Sequence, residues 1–315
     1  MNGKEEKKRG ERNRTLLIMP EEKDDLMNDI IRPSETKSSF FQNDITGKII
    51  NADIKEISGQ MPEKSVDLLF LDPPYNLTKD FNGNVFQKKK SENYEKWFSE
   101  IFIKLLPLLK PTASVYVCSD WKTSYEIYNV ISKHLIIRNR ITWEREKGRG
   151  SLNNWKNCSE DIWFATASNN YTFHPDRVKL KRKVLAPYRD NKGDPKDWEK
   201  NDDGNYRLTY PSNFWNDITI PFWSMPENTD HPTQKPEKLL AKLILASTEE
   251  NDVILDPFMG SGTTCVTARK LNRRYIGIES ELNYCLFAAK RLRMADQDRT
   301  IQGYDGVFRE RNSKN

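Results

Sequence analysis

Residues Asp72, Pro73, Pro74 and Tyr75 combine an acid, two imino acids and an aromatic ring directly after the apolar run at residues 66–71. Each proline lacks an N–H group and fixes φ, so a strand cannot continue through this segment. A residue that precedes proline is held extended. The segment therefore predicts a strand that ends in a rigid corner, where a carboxylate, free carbonyl oxygens and a ring are available for chemistry. A plain strand-terminating turn is the alternative interpretation.

A second loop that could bind a ligand lies at residues 255–264, in the sequence LDPFMGSGTT. Gly260 and Gly262 permit a tight turn after a strand, and the following helix N-terminus offers free N–H groups. A dinucleotide-binding loop would have a third glycine where Cys265 stands, so the pattern favours a ligand that bears a carboxylate rather than a pyrophosphate. Glu279 ends the next predicted strand, at a spacing typical of a carboxylate that binds ribose hydroxyls. A plain glycine-rich turn with a surface glutamate remains the alternative.

Apolar segments of strand length alternate with helical periodicity over most of the chain. This alternation predicts an α/β fold, with a mostly parallel sheet and helices on both faces. The pattern breaks at residues 169–229, which are polar, proline-rich and aromatic and are predicted to be an insertion that supplies recognition. Strands are predicted at residues 48–54, 65–72, 113–120, 136–146, 160–168 and 274–280, and helices at 94–110, 236–252 and 281–294.

Composition narrows the function classes. The 315 residues carry a net charge of +5, which is a mild indication of an anionic partner. Four cysteines without a CxxC pair and only three histidines make a metal site unexpected, and free thiols suit a reducing cytoplasmic location. No apolar run approaches the roughly 18 residues of a membrane span, and no signal peptide is recognisable.

The motifs DPPY (residues 72–75), HPTQKPEKLL (231–240) and DPFMGSGTT (256–264) together resemble the S-adenosylmethionine-dependent DNA amino-methyltransferases. Their order, with the catalytic loop first and the cofactor loop last, is that of the permuted beta group, many of whose members accompany Type II restriction enzymes. The resemblance covers about residues 48–292. It implies a Rossmann-like methyltransferase fold with an inserted target-recognition region and S-adenosyl-L-methionine as the cofactor.

The resemblance also implies a division of the chain. Residues 1–40 are expected to form a charged flexible arm, and residues 41–168 the catalytic half of the methyltransferase domain. Residues 169–229 are expected to be the target-recognition insertion, and residues 230–315 the cofactor-binding half.

In this family the exocyclic amine of a flipped-out base is methylated directly. The resemblance assigns Asp72 and the Pro73 carbonyl as acceptors for the two amine hydrogens, with both prolines limiting reorganisation and Tyr75 as a stacking platform. Methyl transfer then depends on proximity and in-line orientation. An aspartate at the first position favours adenine N6, with cytosine N4 as the alternative. Methylation at cytosine C5 is not expected, because none of the four cysteines follows a proline.

The cofactor-binding residues implied by the resemblance come from three segments. Asp53 is placed beside the cofactor adenine, although it could simply be a helix N-cap. Glu279 is placed at the ribose. The remaining residues are assigned to the methionine end and its carboxylate: Asp256, Phe258, Gly260, Gly262, Thr263, Thr264, Thr233 and Lys235.

Double-stranded DNA is the expected partner, with basic residues contacting phosphates. A cognate restriction endonuclease is a further expected partner, and both monomer and homodimer remain open. A basic run is also typical of an ordinary solvated face. The candidate DNA-binding residues occupy two segments: Arg145, Lys147, Arg149 and Lys156, then Lys179, Lys181, Arg182 and Lys183.

Three other functions remain compatible with parts of the pattern. An RNA or protein-amide methyltransferase is disfavoured by the basic insertion and the permuted motif order. A dinucleotide-dependent oxidoreductase is disfavoured by Cys265 and by the Asp-Pro-Pro-Tyr corner. A DNA-binding protein without catalysis is disfavoured by the presence of Asp72, Gly260 and Gly262.

Overall fold

The computed structural model describes residues 10–33, 44–81, 84–145, 152–184, 188–201 and 204–311. Within them, a nine-stranded sheet forms the centre of the molecule, and every strand runs parallel to its neighbours except β8, which is antiparallel to β6 and β7. In spatial order the strands are β1 (Ile30–Ile31), β2 (Lys48–Asn51), β14 (Arg274–Glu279), β13 (Val253–Asp256), β3 (Val66–Leu71), β6 (Leu109–Ser119), β8 (Ser159–Thr166), β7 (Ile136–Glu144) and β12 (Phe214–Trp215).

Helices cover both faces of this sheet, which confirms the predicted α/β architecture. On β3, Leu69 and Leu71 pack toward one face, whereas Leu68 and Phe70 pack toward the other, as the two-residue period of a strand requires. The first face is covered by α2 (Ile54–Ile57), α3 (Ser91–Leu105) and α4 (Ser124–Ile131). The second face is covered by α1 (Lys23–Met27), α5 (Glu237–Ser247), α6 (Thr263–Lys270) and α7 (Leu282–Gln297).

The order of the central strands creates a ligand-binding crevice. From β3 the chain moves outward to β6, whereas from β13 it moves in the opposite direction to β14. Strands β3 and β13 are direct neighbours, with Leu69 paired to Leu255. Open α/β sheets bind ligands at the carboxyl ends of strands where the winding direction reverses in this way. Both predicted loops leave the sheet at this point.

The prediction of a flexible arm at residues 1–40 is wrong for residues 10–33. Strand β1 joins the main sheet beside β2, and Leu26 and Ile30 are buried. On the exposed side, Arg293 of α7 pairs with Asp29 at 2.6 Å. These two buried apolar side chains dock the charged segment. They are too few to produce a recognisable hydrophobic period in the sequence. Residues 1–9 and 34–40 lie outside the described part of the chain.

The insertion at residues 169–229 is packed into the domain rather than separate from it. Three of its strands, β9 (Leu180–Lys183), β10 (Glu199–Asn201) and β11 (Gly204–Thr209), form a second sheet with β15 (Phe308–Arg309) from the chain's last segment. Leu180 and Phe308 pack there against α5. The insertion also supplies β12 to the main sheet. Its role in target recognition stays a prediction.

A short hairpin, β4 (Lys79–Phe81) and β5 (Asn84–Phe86), follows the Asp-Pro-Pro-Tyr corner. The rings of Phe86 and Trp97 on α3 meet at 5.3 Å between centroids, which attaches the hairpin to the domain. No helix within the described ranges is both long and apolar enough to span a membrane.

Candidate active site

A cavity of about 550 Å³ opens where β2, β3, β13 and β14 end. Its wall brings together the two loops that the sequence separates by almost two hundred residues, along with the segment that precedes α5. The predicted site residues that line it are Asp53, Asp72, Pro73, Pro74, Tyr75, Arg145, Thr233, Phe258, Gly260 and Glu279. The sheet topology therefore assembles one site from both predicted halves.

The Asp-Pro-Pro-Tyr corner is fixed by hydrogen bonds from neighbouring elements. The Tyr94 hydroxyl donates to the Pro74 carbonyl at 3.1 Å. The side chain of Asn76 accepts from the Lys89 N–H at 2.7 Å and donates to the Lys89 carbonyl at 2.8 Å. The corner therefore combines the intrinsic stiffness of two prolines with external anchors.

Behind this corner lies a buried polar network centred on Lys235, which is 6% exposed. Its ammonium contacts Asp72 Oδ2 at 2.6 Å, the Tyr75 hydroxyl at 3.3 Å and Glu160 Oε2 at 3.4 Å. The Tyr75 hydroxyl donates to Glu160 at 3.0 Å, and Arg145 forms an ion pair with the same carboxylate. Lys235 does not line the cavity, and its contacts are with Asp72, Tyr75 and Glu160; its predicted role at the cofactor carboxylate stays a prediction.

The charges in the network depend on one another. Burial raises the pKa of Asp72; the ammonium of Lys235 opposes this rise, and Glu160 adds to it. Burial alone would lower the pKa of Lys235, but Asp72 and Glu160 raise it above the ordinary value. Burial alone would raise the pKa of Glu160, but Lys235 and Arg145 bring it below the ordinary value. Lys235 and Glu160 therefore remain charged at neutral pH.

The glycine-rich loop folds against the strand that follows it. The Gly260 N–H donates to Glu279 Oε2 at 3.0 Å, and the Glu281 N–H donates to Glu279 Oε1 at 2.8 Å. Gly260 has a φ of +52°, and a Cβ atom there would lie 2.8 Å from His231 Nε2. The absence of a side chain at this position thus keeps the cavity open between His231 and Glu279.

Asp256 and Thr264, assigned to the cofactor by sequence, are buried behind the loop and do not line the cavity. Asp256 accepts from the Thr264 hydroxyl at 2.5 Å and from the Phe258 N–H at 3.0 Å. Burial raises the pKa of Asp256 to about 7, although both hydrogen bonds oppose the rise. These two residues shape the loop instead of facing its ligand.

Gly262 and Thr263 also support the loop from behind rather than lining the cavity. Gly262 has a φ of +82°, and a Cβ atom there would lie 2.5 Å from Ala288 Cβ, so its glycine is required by the packing of α6 against α7. The Thr263 hydroxyl accepts from Arg291 at 3.0 Å. The sequence pattern located the loop correctly but could not separate the residues on its two sides.

Asp53 is a helix N-cap, which confirms one of its two interpretations, and its predicted contact with the cofactor adenine stays a prediction. Its carboxylate accepts from the Lys55 N–H at 2.8 Å and so caps α2. The same residue follows β2 and lines the cavity. In the strand order of the sheet, β14 and β13 separate β2 from β3, so Asp53 lies at the opposite end of the cavity from Asp72. Aromatic side chains complete this end of the cavity, with the rings of Trp97 and Phe258 at 6.4 Å.

The candidate DNA-binding residues are only partly assembled. Arg145 lines the cavity but is engaged with Glu160, which corrects its assignment as a free phosphate contact. Lys156 is exposed, whereas Lys147 and Arg149 lie outside the described residues. The remaining four residues are in or next to β9, away from the cavity wall: Lys179 pairs with Asp176, Lys181 lies over the Tyr206 ring, Arg182 is half-buried and Lys183 is exposed.

Glu160, in the network behind the corner, and His231, in the cavity wall, are not among the residues that the sequence assigned to the site. Glu160 is 3% exposed within β8, and the neighbouring Asp161 in the same strand gave the sequence no means of singling it out. His231 lines the cavity and its ring lies 4.4 Å from that of Tyr284. Within the described ranges, no cluster of histidine, cysteine and acidic side chains is arranged to hold a metal ion.

Replacing Gly260 with alanine tests the open space in this loop. We expect the added Cβ to meet the His231 ring and the residue to be strained at positive φ, so ligand affinity in the cavity falls about tenfold or more. The double variant Gly260→Ala, His231→Ala removes the clash and regains part of the affinity. Calorimetric titration of S-adenosylmethionine measures both, and unchanged affinity in the single variant would contradict the placement of the cavity.

Comparison with known proteins gives consistent matches. A family model described as "DNA methylase" matches residues 66–290. The DNA adenine methyltransferase YhdJ of Escherichia coli is 33% identical over 78% of this chain and 83% of that protein. The Type II methyltransferase M.HpaI of Haemophilus parainfluenzae is 32% identical over 78% of this chain and 73% of that protein.

Solved structures agree in fold. The complex of M1.HpyAVI with S-adenosylmethionine is 25% identical, with a TM-score of 0.52, and the match covers 78% of this chain and 98% of that one. The cytosine-N4-specific PvuII DNA methyltransferase is 20% identical, with a TM-score of 0.59, and the match covers 78% of this chain and 86% of that one. The second match concerns the fold alone.

Proposed function

The chain belongs to the N6/N4 DNA methylase family, and from that premise we propose how its residues carry out the reaction. It is an adenine-specific DNA methyltransferase that takes its methyl group from S-adenosyl-L-methionine. The main support for the proposed residue roles is that Asp72 and Glu279 line the same cavity. An acceptor for an amine and a carboxylate for a ribose thus face the same space.

Asp72 and Pro73 act on the exocyclic amine of the flipped adenine. Asp72 Oδ2 is held by Lys235, which leaves Oδ1 to accept one amine hydrogen, while the Pro73 carbonyl accepts the other. Two fixed acceptors draw the nitrogen toward tetrahedral geometry and localise its lone pair. Because the corner is already rigid, little reorganisation is needed. The ring of Tyr75 stacks on the base.

The chain also fits the cofactor. The cradle at Gly260, which a Cβ atom would fill, accepts the methionine end beside Phe258 and Thr233. Glu279 accepts the Gly260 N–H on Oε2, and it accepts the Glu281 N–H and the Ser280 hydroxyl on Oε1. A carboxylate has about four acceptor positions, so the position left on Oε2 binds a ribose hydroxyl. Asp53 faces the adenine end. The bound cofactor supplies an electrophilic methyl group, and the protein's part is to place the amine in line with it.

The biological role and the cellular location of the protein are inferred from its relatives, the Type II methyltransferases. We propose that the chain protects a specific site against a cognate restriction endonuclease and acts where the DNA is, in the cytoplasm. The insertion at residues 169–229 is the proposed recognition region. Sequencing that detects methylated adenines, on plasmid DNA treated with the protein, tests the specificity. Methylation confined to one sequence context is expected, and methylation irrespective of context would refute a site-specific enzyme.

The loop between β7 and β8 offers a further DNA contact. Trp155 is 98% exposed and Leu152 is fully exposed, and both lie within ten residues of the cavity residue Arg145 in the chain. Apolar side chains of this kind insert into DNA where a base is displaced. We expect Trp155→Ala to slow methylation of duplex DNA about tenfold, since a stacking contact contributes roughly 1–3 kcal/mol.

The test of Trp155 compares two substrates. A single-stranded oligonucleotide, or a duplex in which the target adenine is mispaired, needs little help with flipping, so the same variant should methylate it nearly as fast as the unmodified protein does. An equal loss on both kinds of substrate would show that Trp155 contributes general DNA affinity instead.

A further inference from the structure

Lys235 occupies a position that cofactor binding does not explain. Its ammonium is buried, and each of its three hydrogens has an acceptor within reach: Asp72, the Tyr75 hydroxyl and Glu160. The same ammonium lies 5.4 Å from the centre of the Tyr75 ring. Burying a charge is costly unless it is fully paired, so an arrangement this complete restricts the groups that it contacts.

We propose that Lys235 is a positioning residue, an inference that rests on the proposed methyl transfer. It fixes the orientation of the two groups that face the target base, the Asp72 carboxylate and the Tyr75 ring. The contact to Oδ2 prevents the carboxylate from rotating and directs Oδ1 to the amine. The Tyr75 hydroxyl is held between Lys235 and Glu160, so the plane of the stacking ring is fixed as well. One lysine thus aligns the acceptor with the platform.

Glu160 and Arg145 complete the arrangement and balance its charge. Two carboxylates, Asp72 and Glu160, face two cations, Lys235 and Arg145. Strand β8 contributes Glu160, strand β7 ends next to Arg145, and Lys235 directly precedes α5. The β7–β8 pair and the segment before α5, which are distant in sequence, therefore meet behind the corner. A neutral, closed network can remain in place beneath a site that must exclude water when the base enters.

The network predicts pH effects of opposite sign for two variants. The Asp72 carboxylate is a stronger acceptor for the amine hydrogen than the protonated carboxyl group, in which one oxygen becomes a donor, so the rate falls as pH drops through the pKa of Asp72. Lys235→Gln removes the cation that opposes the raised pKa, so the acidic limb of the rate profile moves to higher pH. Glu160→Gln removes a negative neighbour, so the limb moves to lower pH. The charged or titratable groups around Asp72 are Lys235, Glu160, Tyr75, Tyr94, Cys118 and Asp256.

The experiment measures single-turnover methylation of a cognate DNA duplex with saturating S-adenosylmethionine, across pH, for the unmodified protein and both variants. We expect Lys235→Gln to lower the rate on the order of 10²-fold, the usual effect of a misplaced reacting group. Calorimetry should show cofactor affinity within about twofold of the unmodified protein. Lys235→Arg, which keeps the charge, should recover part of the rate. Thermal unfolding establishes that each variant is folded.

The outcomes separate the lysine's role from the proposed function. No methylation by the unmodified protein would refute methyl transfer itself. Methylation by the unmodified protein with a weakened cofactor affinity in Lys235→Gln would overturn the positioning role and return Lys235 to the cofactor carboxylate. Acidic limbs that move in the same direction in both variants would also overturn it. If Lys235→Gln does not fold, the shift to lower pH in Glu160→Gln and the cofactor affinity of Lys235→Arg still decide the question.

Discussion

Asp72→Asn should reduce methyl transfer on the order of 10²–10³-fold, as expected when one fixed acceptor is lost from a transition-state site. The substitution preserves shape but not hydrogen bonding. Lys235 donates to the oxygen that it now contacts, so the asparagine oxygen must face Lys235 at the position where Asp72 Oδ2 lies 2.6 Å from the ammonium. The amide NH₂ then points to the base amine, and a donor replaces the required acceptor.

Cofactor binding provides the control for this variant. Asp72 is not expected to contact the cofactor, so calorimetry should give an S-adenosylmethionine affinity within about twofold of that of the unmodified protein. Single-turnover assays with a DNA duplex report the transfer step. Near-normal turnover in Asp72→Asn would exclude Asp72 as the amine acceptor, whatever its position in the cavity.

Glu279→Ala should instead weaken cofactor binding, on the order of 10²-fold or more, because hydrogen bonds to a charged acceptor contribute about 1.5–3 kcal/mol each. The variant removes the proposed ribose contacts and also the acceptors for the Gly260 and Glu281 N–H groups. The loop and its ligand are therefore affected together. At saturating cofactor the transfer rate should recover, since Asp72 and Tyr75 are untouched.

The pH dependence of cofactor affinity gives a second test of Glu279. Burial raises the pKa of this carboxyl, although the N–H donors of Glu281 and Gly260 oppose the rise. Protonation removes an acceptor, so affinity in the unmodified protein should weaken as pH falls through the raised pKa. Glu279→Ala should lose that dependence. An affinity that is the same in both proteins would remove Glu279 from the site.

The sequence predicted the position of the two loops, because each loop has a recognisable local motif. Asp72 and its prolines stand at a strand end because proline stops a ladder, and Gly260 marks the turn before a helix. The order of β13 and β3 in the sheet then brings the two loops together. Local pattern and the winding rule for parallel sheets were sufficient for this result.

The network behind the corner could not be predicted in the same way. Glu160 lies on a strand that joins the sheet beside β6, and its partners Lys235 and Tyr75 are 75 and 85 residues away in the chain. No spacing rule links such residues. The burial of the loop residues Asp256 and Thr264 could not be predicted for a related reason, because a motif does not reveal which side of a turn faces the cavity and which faces the core.

The family match replaces the dinucleotide alternative, and the fold shows how Cys265 is accommodated. Cys265 stands where a third glycine would be, and it is buried beside Gly277 of β14, where a Cβ atom on Gly277 would lie 2.5 Å from Cys265 Sγ. The glycine that this packing requires is therefore Gly277 on β14, and Cys265 in the first turn of α6 keeps its side chain. The loop therefore lacks the third glycine of the dinucleotide-binding pattern.

The most direct test of the central claim is the chemical identity of the methylated base. Unmethylated genomic DNA is incubated with the protein and radiolabelled S-adenosylmethionine, digested to nucleosides and separated. We expect label in N6-methyladenine, and label that accumulates on the order of 10²–10³-fold more slowly with Asp72→Asn. Label in N4-methylcytosine would retain the mechanism but contradict adenine as the target, and the absence of label in DNA from a protein that binds the cofactor would contradict DNA methylation altogether.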